Sequence, residues 1–227
     1  MPHEETPPRP ADVLRAAYRA FGAVVERLDE ERSWLPTGCA GWAARDLVLH
    51  CLCDVQRGLV AFHTPAGRSP DRDAVTYWRE WRKDAGGDFA ARRFPRVVAG
   101  MFPDFGELRT RHLETSAAVL DAADRTAAGE PVATQGHVLT AGDVMRTLAV
   151  EATVHHLDLA VSLDDAPGPS REGLAEVRRT LDGLLGRPAP ASWDDAHYAR
   201  VATGRAAPSD ADRAWLGADA RRLPLFG

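Results

Sequence analysis

The 227 residues are 44% hydrophobic and 27% charged, the proportions of a globular chain with one large core, and these exclude wholesale disorder. A formal net charge of -5 offers no basic surface for a phosphate backbone, so no nucleic-acid partner is expected. No apolar run nears the roughly 20 residues that span a bilayer, the start lacks a signal peptide's pattern, and three cysteines are an odd number for disulfides: a cytoplasmic protein with reduced thiols and no membrane contact is expected.

After a loose Pro-rich opening to Pro10, apolar residues at Val13, Leu14, Ala17, Phe21, Val24, Val25 and Leu28 recur at helical spacing, which predicts a helix over 11–31. Breakers in SWLPTGCAG end it, and a second helix is expected over about 43–62, carrying Leu47, Val48, His50, Leu52, Val55 and Val60. The stretch 64–87 reads as a structured loop over one end of a bundle, with Tyr77, Trp78 and Trp81 clustered in a short helix; Trp78 and Trp81 could line the mouth of a site, though such clusters more often serve packing. A third helix follows over about 105–123, with an earlier piece from Phe89, because Pro95 and Pro103 each forbid an unbroken helix. TAAGEPVATQGHV is a connector with at most a short extended piece. Thr140 is placed to cap a fourth, strongly apolar helix running to about Leu163. Shorter helices are expected over about 171–185, 193–202 and 209–221, and no strand pattern of useful length is present. The elements sum to an all-α fold: an antiparallel four-helix bundle over 1–166, with a helical C-terminal extension over 167–227 packed on it.

EATVHHLDL places Glu151 and His155 four residues apart and Asp158 three further on, along one helical face. On a solvated face that spacing is usually an ordinary Glu-His contact. Here Leu148, Val150, Val154, Leu157, Leu159 and Val161 surround the pair, and a buried Glu needs a partner, for which a metal suffices. His50, in RDLVLHCLCDV, sits among apolar groups on both sides, and facing helices of a bundle commonly turn His and carboxylate ligands toward a shared interior site. His50, Glu151 and His155 would leave a divalent ion one open position, the pattern of a catalytic centre. Asp158 and Asp54 are expected to support these ligands from behind, though either also reads as an ion-pair partner. Cys51 and Cys53 project nearly opposite ways and read as small core residues. His156 points away from His155, while His63, His112, His137 and His197 have no partner at metal spacing. Arg45 and Asp46 read as helix-end electrostatics.

GWAARDLVLH ending in His50, EATVHHLDLA further on, and the ending ATGRAAPSDADRAWLGADARRLPLFG resemble the DinB-like superfamily, specifically the mycothiol-dependent maleylpyruvate isomerase N-terminal domain family. The resemblance implies a four-helix bundle in which His50, Glu151 and His155 bind a divalent metal, zinc first, with nickel, manganese or iron as alternatives. It also implies a mycothiol-dependent enzyme, an S-transferase or cis-trans isomerase acting on a small electrophilic molecule, with the low-molecular-weight thiol as cosubstrate. An Ala- and Arg-rich composition with a single lysine, Lys83, agrees with an actinobacterial source. The last sixty or so residues depart from the isomerase itself, reading as short helices in place of a separate α/β domain. Three other readings stay open: a metal-dependent hydrolase or lyase using a metal-bound water, a non-catalytic metal-binding helical module, and a structural bundle whose His and Glu only hydrogen-bond each other.

Overall fold

The computed structural model describes residues 8–81 and 89–226; most of the Pro-rich opening and the end of the 64–87 loop lie outside them. In chain order the helices are α1 (Pro10–Val25), α2 (Ala44–Phe62), α3 (Phe89–Ala99), α4 (Phe105–Arg125), α5 (Ala141–Leu159), α6 (Arg171–Leu185), α7 (Asp195–Ala202) and α8 (Asp210–Leu216). Helices α1, α2, α4 and α5 close a bundle in which α1 packs on α5 and α4, and α2 packs on the same two. Each start has a local cause. Pro10 sits where a missing N–H costs nothing, and the Asp46 carboxylate accepts the Ala43 N–H at 2.9 Å. The Asp104 carboxylate accepts from Glu107 N–H at 2.9 Å, and the Thr140 hydroxyl from Asp143 N–H at 3.0 Å. Helix α5, the most deeply buried, is apolar nearly all round, as a central helix must be.

The structure departs from the sequence reading at four places. Helix α1 ends at Val25, and a separate 3₁₀ turn covers Arg32–Trp34. Pro95 lies inside α3, where burial of its ring offsets the hydrogen bond it cannot donate. Pro131–Thr134 (β1) and His137–Thr140 (β2) form an antiparallel hairpin where the sequence offers a connector with a short extended piece, the pairing being hidden because each strand is only four residues long. Its turn, Gln135-Gly136, has positive φ at both residues, 46° and 83°, which suits the twist of a two-residue hairpin loop. Helix α5 stops at Leu159, and Ala160–Ser162 continue as a 3₁₀ turn.

One apolar core runs from α1 through α5 into the C-terminal segment, joining Leu14, Leu148, Val177, Leu181, Tyr198 and Phe226. A second cluster, with Phe21, Leu47, Leu108 and Leu159, fills the other end of the bundle. Gly58 lets α2 approach α5, since a Cβ there would meet Leu148 Cδ1 at 2.6 Å. Among the described residues, no helix is long and apolar enough to cross a membrane.

Candidate metal centre

Helices α2 and α5 turn three side chains toward one point. His50 Nε2 lies 3.1 Å from His155 Nε2, and His155 Nε2 lies 3.3 Å from Glu151 Oε2. All three ligand atoms fall within 4.8 Å of one another. A tetrahedral ion with bonds of about 2.1 Å separates its ligands by about 3.4 Å, so this donor set fits a divalent metal with nitrogen and oxygen ligands.

His155 is held from behind. Its Nδ1 donates to Asp158 Oδ2 at 3.0 Å, so that Nε2, once it gives up its proton, turns its lone pair toward His50 and Glu151. Arg205 grips Asp158 with two hydrogen bonds, Nε to Oδ1 and a terminal nitrogen to Oδ2, both 2.8 Å. The Cys39 thiol donates to Asp158 Oδ2 at 3.2 Å. Gly38 N–H donates to the Asp158 carbonyl at 2.9 Å, and a Cβ on Gly38 would meet Asp158 Oδ1 at 2.5 Å. Cys39, His155 and Asp158 form a second convergent group. Because the guanidinium already neutralises Asp158 and occupies both its oxygens, the Nε2 side is the better ion site.

The charges are arranged accordingly. Burial works against ionisation of Glu151, yet its hydrogen bond to His155 and the charges of His155 and His50 hold the carboxyl at about 2. Burial also disfavours a charged His155, but hydrogen bonds with Asp158, Cys39 and Glu151 raise its pKa well above the ordinary value. Burial, and then the charge on His155, lowers His50. Asp158 is buried too, and its bonds to His155 and Arg205 keep it well below the usual carboxylate range. Asp54 moves the other way, raised by burial and by Glu151. The two imidazoles are thus shifted in opposite directions, and the proton favoured on His155 is the one with which a dication would compete.

The side chains sit at one wall of a cleft of about 540 Å³, lined also by Trp42, Tyr77, Trp78, Trp81, Gln135 and Phe226. The tail reaches this wall because Leu225 N–H donates to the Ala202 carbonyl at 2.8 Å, and the Phe226 ring packs on Trp78 at 4.3 Å between centroids. Asp158 stands behind His155, whereas Asp54 Oδ2 lies 3.5 Å from His50 Nε2, on the ion side of that ring. Cys51 is buried and Cys53 only half-buried. His156 is buried and bonds to the Pro167 carbonyl at 2.8 Å. Arg45 is buried as well, pairing with Glu30 at 2.9 Å and stacking on Trp34, a larger role than helix-end electrostatics. Sequence reasoning missed Cys39, Trp42, Arg205 and Phe226, and favoured packing over a place at the mouth for Trp78 and Trp81, which the structure puts on the cleft wall; no local pattern marks any of them as near His155.

The family model described as the mycothiol maleylpyruvate isomerase N-terminal domain matches residues 14–160. No curated protein matches the chain. Among solved structures, a mycothiol-dependent maleylpyruvate isomerase superposes with a TM-score of 0.60 at 15% identity, covering 87% of this chain and 88% of that one. A histidine-to-alanine mutant of such an isomerase superposes with a TM-score of 0.59 at 14% identity and the same coverage. At those identities the likeness is one of fold.

Proposed function

The chain belongs to the mycothiol maleylpyruvate isomerase N-terminal domain family, and on that premise we propose that it is a mycothiol-dependent enzyme, an isomerase or S-transferase acting on a small electrophile. A divalent metal, zinc first, would be held by His50, Glu151 and His155. What carries this reading is the convergence of those three ligand atoms at the wall of a cleft large enough for a thiol and a small substrate. When bound, the metal would lower the pKa of a thiol presented to it, which is ordinarily near 8.5 and leaves little nucleophile at neutral pH.

The remaining work falls to the chain. Asp158 keeps His155 in the tautomer whose Nε2 is free for the ion, and Arg205 keeps Asp158 ionised. Trp42, Trp78 and Phe226 wall the cleft with apolar surface, which limits water at the reacting carbon. With a conjugated cis-alkene, the thiol sulfur adds to one alkene carbon and the electron pair moves to the conjugated carbonyl. The former double bond turns, and expulsion of the same thiol restores it in the other geometry. With a leaving group on the electrophile, the same attack yields an S-conjugate and releases that group. The extension over 167–227 packs on the bundle and closes one side of the cleft. A reduced thiol cosubstrate places the protein in the cytoplasm.

Elemental analysis of protein purified without an affinity metal, followed by thiol titration and turnover of a cis-dicarboxylate alkene, tests the reading. One divalent ion per chain and strictly thiol-dependent turnover are expected. His50→Ala and Glu151→Ala should both lose the ion and the turnover while keeping the helical circular dichroism. Full metal occupancy in both variants, or turnover indifferent to thiol, would sink it.

A further inference from the structure

Behind the metal centre lies an interior cavity of about 10 Å³. That size admits one water, which by this measure needs roughly 10–15 Å³. The lining is polar for an interior space: Tyr18, Asp54, His112, Ser116 and Glu151 stand among apolar neighbours such as Phe21 and Leu148. Asp54 and Glu151 line the outer cleft as well, so these two carboxylates form the partition between the two spaces. Two atoms of the lining residues, His112 Nδ1 and Ser116 Oγ, are buried without a hydrogen-bond partner in the protein, and Asp54 Oδ2, which also has no hydrogen bond, lies 3.5 Å from His50 Nε2. Bare buried polar atoms are rare in folded chains, and a water with roughly two to four polar neighbours is the usual remedy. Burial holds His112 at about 4, so its ring is neutral, with one nitrogen donating and the other accepting. Burial, and then the Asp54 charge, keeps the Tyr18 phenol protonated and able to donate.

From the cavity, its unpartnered atoms and its shared wall, we propose that this interior is an ordered water site linking Asp54 and Glu151 to Tyr18, His112 and Ser116, and that it fixes the orientation of Glu151. The ligand is water. Tyr18, His112 and Ser116 are positioning residues, acting on the centre through Glu151. The consequence for metal binding rests on the proposed metal site; the water site itself does not.

The test uses the full chain, its Ser116→Val variant, which removes a hydroxyl and fills the space, and Tyr18→Phe, which removes one oxygen. Magnetic relaxation dispersion of water oxygen on metal-free protein counts long-lived internal waters, and Ser116→Val should lose at least one. Chelator competition should show zinc binding weakened about ten- to a hundred-fold in both variants, with a shifted visible spectrum of the cobalt-loaded protein. Equal water counts in the native chain and Ser116→Val would overturn the water site. A lost water with unchanged zinc affinity and cobalt spectrum would overturn the positioning role. Absence of zinc binding by the native chain, with the water still lost on substitution, would refute the metal site and the positioning role and leave the water site standing. Should Ser116→Val not fold, Tyr18→Phe carries the same two measurements.

Discussion

Arg205 reaches Asp158 from the loop after α7, and through Asp158 it reaches the ring of His155. Removing either link leaves His155 free to turn or to change tautomer, so Arg205→Met and Asp158→Asn should each weaken zinc binding about ten- to a hundred-fold, measured by chelator competition. An unchanged affinity would show that His155 needs no such support. The His155 proton gives the pH dependence its sign. Because the folded pKa of His155 is raised from the ordinary 6.5, its contribution to the metal-free fold is full below 6.5 and is lost as pH rises through the folded value. Glu151 and Asp158, both lowered, contribute above the ordinary carboxylate range, and their contribution is lost as pH falls through their folded values. For metal binding the proton on His155 is a competitor. Zinc affinity should therefore rise with pH, and calorimetry in buffers of different ionisation enthalpy should register a proton released on binding; a pH-independent affinity would contradict the assignment.

Helices α2 and α5, which bring His50 to His155, also approach closely at Gly58, where there is no side chain. In Gly58→Ala the new methyl would press on Leu148 and Val119. The far end of Leu148 can move and the Val119 methyl, at 3.2 Å, has less freedom, so a loss of about 1–3 kcal/mol is expected by urea denaturation. A variant as stable as the native chain would show that the contact gives way freely. At this scale the sequence was informative wherever an element is long. The 21 residues of α4 carry several turns of periodic burial and the 19 of α5 a long, almost continuous apolar run, with a capping residue apiece, so their positions are legible from composition and spacing. Strands β1 and β2, four residues each, offer too few alternations to be told from a connector. The Gln135-Gly136 turn was their one local signal, and Gln at a positive-φ position is not a usual marker.

At the scale of the whole molecule, the larger of the two apolar clusters runs across the proposed boundary near residue 166. Val177, Leu181, Leu185, Tyr198, Ala202 and Leu216 belong to the same apolar cluster as Leu14, Val144 and Leu148. A chain ended at residue 166 would expose that surface of α1 and α5, and should lose its cooperative thermal transition and aggregate. A sharp transition near the native temperature would show that the bundle stands alone.

Periodicity by itself determined the long helices, their apolar faces, the all-helical class and the placing of Glu151, His155 and Asp158 on one face, because each of these depends on residues within a few turns of one another. The meeting of α2 with α5 at 3.1 Å between two imidazoles, the grip of Arg205 on Asp158 across 47 positions, and the return of Phe226 onto Trp78 were decided only in three dimensions. Such contacts join side chains whose sequence neighbours carry no trace of the partner, and only packing of one element on another brings them together.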